Sequence, residues 1–104
     1  MVAQVQNGGL ANIVAALVTA SVAKYLQWGT GSAAAETANA VAAAAAEART
    51  TGSMSAVTTT VTNDTLQVVG SITCATTGKT ISELGVMDAS TAGNMIFYFD
   101  FTGI

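Results

Sequence analysis

The sequence predicts an α+β fold: an antiparallel β-sheet or sandwich, one N-terminal amphipathic helix and one Ala-rich helix. Three observations predict this class. An apolar stripe with helical spacing lies near the N-terminus, an alanine-rich stretch without Gly or Pro follows, and residues 54–101 change to a two-residue period. Because 104 residues suit one domain, we expect residues 1–104 to form a single structural domain.

The first predicted helix covers residues 10–20. Its large apolar side chains recur at i, i+3, i+4, i+7 and i+8, a spacing that places them on one helix face. These residues are Leu10, Ile13, Val14, Leu17 and Val18. The uncharged stretch up to Ala23 is shorter than the roughly 20 apolar residues needed to span a bilayer. It also lacks the positively charged leading region of a signal peptide.

The second predicted helix covers residues 33–49, which are mostly alanine. Alanine has the highest intrinsic helix propensity, and Glu36 near the start and Arg49 at the end suit the helix dipole. Low-complexity disorder is the alternative, although disordered segments usually carry much charge or Pro. Before this helix, residues 22–28 are rich in aromatic and branched side chains and are predicted to form a short strand. Residues 29–32 then break the chain.

Four further strands are predicted at residues 54–62, 66–74, 80–87 and 95–101, joined by turns at 63–64 and 76–79 and a loop at 88–94. Gly70 marks either a bulge or a close contact. In the last strand, Phe97 and Phe99 lie on one face, whereas Ile96 and Tyr98 lie on the other. Because both faces carry bulky side chains, we expect both to be covered, by a sandwich layer or by another chain.

The charge content limits the partners that the chain can bind. Charged residues make up 9% of the chain and the net charge is −3, whereas roughly 25% charged residues is typical of soluble domains. This favours a surface covered by other chains over an ordinary Ala/Thr-rich monomer. The three cations, Lys24, Arg49 and Lys79, are far apart in sequence. We therefore expect neither nucleic acid nor an anionic membrane surface as a partner.

The residue types favour a non-enzymatic role. The chain has no His, which removes the commonest general base and metal ligand. Cys74, the single cysteine, suits a buried, inert thiol in a protein made inside the cell. Gly29-Thr30-Gly31 lacks the rest of a phosphate-binding motif and is interpreted as a turn. The six acids are scattered and are assigned to solvation or turn capping: Glu36, Glu47, Asp64, Glu83, Asp88 and Asp100. We predict no catalytic residues, cofactor or metal.

Three segments, in order over residues 22–101, carry a resemblance to a known family. They are Trp28-Gly29-Thr30-Gly31, then Glu47-Ala48-Arg49 at the end of the second predicted helix, and finally Ile81-Ser82-Glu83-Leu84-Gly85-Val86-Met87-Asp88 with Gly93-Asn94-Met95. Together they resemble small tailed-bacteriophage virion structural proteins, and related segments occur in tail-fibre and collar-like proteins. The resemblance implies a β-rich fold, homo-oligomeric or lattice contacts and no catalytic residues. Such proteins often continue into a further strand that opens on Gly-Asp, and its absence here favours a compact accessory subunit over a complete fibre.

The predicted function is that of a capsid decoration or cement protein, made in the cytoplasm of a host bacterium and located in the virion. It would form a homo-oligomer and stabilise the shell by binding other virion proteins only once they are assembled. The predicted interface residues are Leu10, Ile13, Leu17, Trp28, Ile96 and Tyr98. A core position is the alternative for Trp28. The alternative functions are a tail, baseplate or fibre-adaptor subunit and, in another class, a small carbohydrate-binding β domain that would use Trp28 and Gln27.

Overall fold

The computed structural model describes residues 3–21, 23–75 and 78–104, which form one helix and two antiparallel sheets. The elements are α1 Asn7–Ala20, β1 Tyr25–Gly29, β2 Thr50–Thr51, β3 Ser53–Val57, β4 Thr65–Val69, β5 Glu83–Met87 and β6 Met95–Asp100. One sheet has the order β2-β1-β5-β6, and β3 and β4 form a separate two-stranded ribbon. The α+β class with antiparallel strands is confirmed.

Helix α1 contains the predicted residues 10–20 and begins three residues earlier, at Asn7. It contacts β3 and β4, and Val14 is its buried residue. The helix ends at Ser21, whose backbone is left-handed with φ 54° and whose N–H donates a hydrogen bond to the Leu17 carbonyl at 3.0 Å. None of the helices in the described residues is long and apolar enough to cross a membrane.

The predicted helix over residues 33–49 is wrong. These residues form turns and irregular backbone, and Ala44 forms an isolated β-bridge with Gly29. The reason is that acceptors on the sheet bind backbone N–H groups of this segment; Gln27 Oε1, for example, accepts the Val41 N–H at 3.1 Å. Val41, the one large apolar residue of the segment, is buried. Tertiary hydrogen bonds and this single anchor therefore override the helix propensity of alanine.

Each observed strand that overlaps a predicted one is shorter than predicted. Strand β1 overlaps the strand predicted at residues 22–28, of which residue 22 lies outside the described residues. Strands β3 to β6 overlap the four predicted later in the chain, and the 88–94 loop joins β5 to β6. Residues 76 and 77 of the turn predicted at 76–79 lie outside the described residues. Strand β2 is only two residues long, so the two-residue period of a strand cannot be recognised there in the sequence.

The core lies between one face of the four-stranded sheet and the β3–β4 ribbon. Its buried centre is formed by Ala23, Leu26 and Val86. Partly buried side chains from both sheets pack around this centre: Met54, Val68, Leu84 and Phe97. A Cβ atom at Gly70 would lie 2.7 Å from Leu26 Cδ1. Of the two predicted roles for Gly70, the close contact is therefore the correct one.

Asp64 closes the turn between β3 and β4. Its carboxylate accepts hydrogen bonds from the backbone N–H groups of Thr59 at 2.9 Å, Thr60 at 3.2 Å and Val61 at 2.9 Å. These bonds favour the charged form, and the bond from Thr59 is the largest cause of a pKa of about 2 for Asp64, below the ordinary 3.8. The turn-capping role predicted for the acids therefore holds at this position.

The depressed pKa of Asp64 predicts a loss of stability in acid. The unfolded chain takes up this proton more readily than the folded chain, so the stabilisation is present above the ordinary pKa of 3.8 and is lost as pH falls through about 2. We expect the urea midpoint of wild type to fall across this window and that of Asp64→Asn to fall less. Glu36→Gln, at an exposed position, is the control and should behave like wild type. Equal falls for wild type and Asp64→Asn would contradict this assignment.

Candidate functional site

An open apolar groove of about 570 Å³ lies between the four-stranded sheet and strand β4. One wall is formed by residues 66–70 together with Ile72. The other wall is a face of the sheet and consists of Leu26, Leu84, Val86, Phe97 and Phe99. The groove is thus the outward continuation of the core, at the place where the ribbon and the sheet diverge.

The rim of this groove exposes large apolar side chains to solvent. Val69 is 57% exposed and Phe99 is 51% exposed. Among the described residues that line the groove, Gln67 has the only polar side chain and none is charged. Contiguous apolar surface of this kind marks interaction sites more often than isolated exposed residues do. The groove offers van der Waals contact and burial of apolar area, and the described residues of its lining include no titratable side chain that could act as an acid or base.

The strand register explains which side chains of β6 face the groove. Phe97 pairs with Val86 and Phe99 pairs with Leu84 across the β5–β6 ladder. Side chains of paired residues lie on the same face, so both Phe rings join the apolar wall and the intervening Tyr98 lies on the opposite face. The Phe face of β6, which sequence reasoning did not choose, is therefore the one that opens onto the groove.

The predicted interface residues do not form one surface, and none of the six lines the groove. Trp28 is 3% exposed and lies in the core, the position given as the alternative to a contact anchor. The Lys79 Nζ atom lies 5.7 Å from the centroid of the Trp28 ring. On α1, Leu10 and Leu17 are half-buried and Ile13 is exposed.

Ile96 and Tyr98 lie on the opposite side of the sheet from the groove. They line a smaller cleft of about 320 Å³ together with Ala34 and Ala35. Ile96 is exposed, whereas Tyr98 is half-buried and its hydroxyl donates a hydrogen bond to Glu83 Oε1 at 3.3 Å. Desolvation is the largest of the causes that raise the pKa of Tyr98 above its ordinary value. The polar end of Tyr98 is therefore already used within the chain.

Glu83 is fully buried on β5 and fastens the alanine-rich segment to the sheet. Its Oε2 atom accepts the Gly31 N–H at 2.6 Å and the Ala43 N–H at 2.9 Å, and its Oε1 atom accepts the Ala42 N–H at 2.5 Å. With the Tyr98 hydroxyl, these donors satisfy a carboxylate whose burial would otherwise be costly. The solvation or turn-capping role predicted for the acids is wrong for Glu83.

The glycines beside Trp28 make room for this arrangement. A Cβ atom at Gly29 would lie 2.5 Å from the Ala43 carbonyl oxygen, and one at Gly31 would lie 2.5 Å from Glu83 Oε2. Thr30 N–H donates to the same Ala43 carbonyl at 3.0 Å. The Gly-x-Gly pattern and a Glu within an apolar strand were both visible in the sequence. No spacing rule connects Gly29-Thr30-Gly31 with Glu83, which is more than 50 residues away. The contact between them therefore could not be predicted from the sequence.

Other polar groups hold the loops on this side of the molecule. Arg49 Nη1 donates hydrogen bonds to the carbonyl oxygens of Ala89 at 2.8 Å and Ala92 at 2.6 Å. Within the same loop, Asp88 Oδ1 accepts the Asn94 N–H at 2.7 Å. Residues 3–21, 23–75 and 78–104 contain no group of three or more side chains suited to hold a metal ion. These polar contacts support the fold, and the groove remains the candidate functional surface.

Comparison of the chain with protein-family models, curated proteins and solved structures found no match. The observations that bear on its function are therefore the geometry and chemistry of the groove, the composition and the resemblance of the sequence to a known family.

Proposed function

We propose that this chain is a structural subunit of a bacteriophage virion, a capsid decoration or cement protein that covers its apolar groove against the assembled shell. The observation that carries the proposal is the exposed apolar rim, Val69 and Phe99, on a chain with only 9% charged residues. Such a surface leaves water when a partner protein covers it. The resemblance to virion structural proteins supplies the partner class.

The groove supplies the kind of contact that a cement protein needs. A stable interface buries about 800 Å² per partner, with aromatic anchors near its centre and a polar rim outside. Phe99 is the aromatic anchor, and the walls around it are apolar. Burial of apolar surface contributes about 25 cal/mol per Å² before the costs of association are subtracted. Because the chain binds the assembled shell and not its separated subunits, each bound copy shifts the equilibrium towards the shell.

The carbohydrate-binding alternative receives no support from the positions of its two residues. The Trp28 ring is buried, so it does not offer a face on which a sugar could stack. The Gln27 side-chain oxygen already accepts the Val41 N–H. The tail-subunit alternative would use the same groove, and the number of copies per particle separates it from the capsid role.

Two valines of almost equal exposure provide a matched test of the groove. Val69 lines the groove, whereas Val5 is 55% exposed and lies outside its lining. We expect wild type and Val5→Asp to bind phage shells prepared without this chain, in many copies per shell. Val69→Asp should bind at least about tenfold more weakly, which is about 1.4 kcal/mol. The readout is co-sedimentation with shells over a range of protein concentrations.

The two aspartate variants carry the same added charge, so net charge cannot explain a difference in their binding to shells. Both sites are exposed, and urea midpoints measured in parallel would establish that both variants fold. Equal binding of Val69→Asp and wild type would contradict groove docking. A wild-type chain that binds only tails, or only in a few copies per particle, would contradict the capsid role.

A further inference from the structure

We infer that the free edge of β6 is a pairing site for a second copy of this chain, so that two four-stranded sheets join through antiparallel β6–β6 contact. The inference concerns the edge of the sheet and not its groove. It does not depend on which protein fills the groove.

Strand β6 is the last strand of its sheet and has backbone groups directed outward. Phe101 N–H donates to the Ser82 carbonyl at 3.0 Å, so the alternating antiparallel pattern directs the backbone of Phe99 towards β5 as well. Tyr98 and Asp100 lie between these positions, and their N–H and C=O groups therefore point away from β5. In the described part of the chain, no hydrogen bond outside the β5–β6 ladder reaches those backbone groups.

The side chains of β6 leave this edge open to pairing. The strand contains neither Lys nor Pro, two residues that commonly block edge-to-edge association. Tyr98 turns its hydroxyl back to Glu83. The irregularity in the β5–β6 register lies opposite Val86 and Met87, at the start of β6, and leaves residues 97–100 regularly paired. An exposed apolar edge of this type is a template for another strand.

The sequence of β6 fits a second copy of itself. In a two-fold pairing centred on Tyr98, the two Tyr98 backbones exchange both hydrogen bonds, and Phe97 lies opposite the partner's Phe99. Asp100 falls opposite the partner's Ile96. The two Asp100 side chains are then four residues apart along the strand, about 14 Å, so like charges do not face each other. Pairing would also cover part of the exposed Phe99 side chain. The apolar wall formed by the sheet would then continue across the two-fold axis.

Two substitutions at Tyr98 separate backbone pairing from side-chain contact. Tyr98→Pro removes the outward N–H without removing a β5–β6 hydrogen bond, and Tyr98→Ala removes the same side chain but keeps the N–H. In sedimentation equilibrium, we expect wild type and Tyr98→Ala to dimerise. Tyr98→Pro should raise the dissociation constant at least tenfold above that of Tyr98→Ala. A monomeric wild type, or equal dissociation constants for the two variants, would overturn the inference.

Hydrogen exchange measured on the wild-type chain keeps the inference testable if Tyr98→Pro does not fold. The Tyr98 amide should exchange slowly in concentrated solution and quickly in dilute solution, whereas the Phe99 amide should be protected in both. Exchange of the Tyr98 amide that does not depend on concentration would overturn the inference. A monomer that still binds shells would overturn β6 pairing alone, and a dimer that fails to bind shells would overturn the proposed function alone.

Discussion

Glu83→Ala is expected to lower the free energy of unfolding by about 2–4 kcal/mol, a large part of the stability of a small domain. The substitution leaves the N–H groups of Gly31, Ala42 and Ala43 without the carboxylate that accepts them. It also opens a space in the buried side of β5. The loss should appear as a lower urea midpoint, followed by Trp28 fluorescence.

Two control variants make this prediction specific to the carboxylate. Glu83→Gln keeps the shape but offers one acceptor oxygen, and its amide NH₂ would face backbone donors, so most of the loss should remain. Glu36→Ala removes an exposed acid from the same alanine-rich segment and should change stability by no more than about 0.5 kcal/mol. A loss for Glu83→Ala as small as that for Glu36→Ala would show that the alanine-rich segment does not depend on this anchor.

Gly29→Ala is expected to destabilise the chain by about 2–3 kcal/mol, because the new methyl group has no space. Its Cβ atom would lie 2.5 Å from the carbonyl oxygen of Ala43 and 3.0 Å from its carbonyl carbon. These are backbone atoms, held by hydrogen bonds to the sheet, so they cannot move aside without detaching the alanine-rich segment. Urea unfolding gives the change in free energy.

Substitution of alanine for Gly8 should change the free energy of unfolding in the opposite direction. Gly8 lies in α1, and no atom of the described residues that could obstruct a side chain lies within 4 Å of the position that its Cβ would take. Alanine is more favourable than glycine in a helix by roughly 0.5–1 kcal/mol, so Gly8→Ala should stabilise the chain slightly. A neutral or stabilising Gly29→Ala would contradict the close packing of the alanine-rich segment on the sheet.

The contrast between α1 and residues 33–49 shows what periodicity can predict. The apolar stripe of α1 predicts the helix and most of the face that packs: Val14 is buried and Leu10 and Leu17 are half-buried, whereas Ile13 is exposed. The alanine-rich segment has strong propensity but only Val41 as a large apolar residue, so local preference has little packing to support it. Its conformation depends on tertiary hydrogen bonds such as those to Glu83, which is 40 and 41 residues away from Ala43 and Ala42. Interactions over that separation leave no periodic trace in the sequence.

Strand β6 shows a second limit to what a periodic pattern can predict. Alternation along β6 predicts two bulky faces, and both exist in the structure. The alternation does not say which face the rest of the chain covers. Alanine-rich residues approach the Tyr98 face, whereas the ribbon leaves the Phe99 face partly open. The predicted interface at Ile96 and Tyr98 therefore misses the groove, since its position depends on segments far from β6 in sequence.

Electron microscopy of purified phage particles is the most direct test of the proposal that the apolar groove docks on a virion shell. The account predicts many copies of the chain on the shell, with Val69 and Phe99 in contact with shell proteins. Purified particles that contain no copy of the chain would contradict it. Bound copies whose groove faces solvent would contradict the assigned surface.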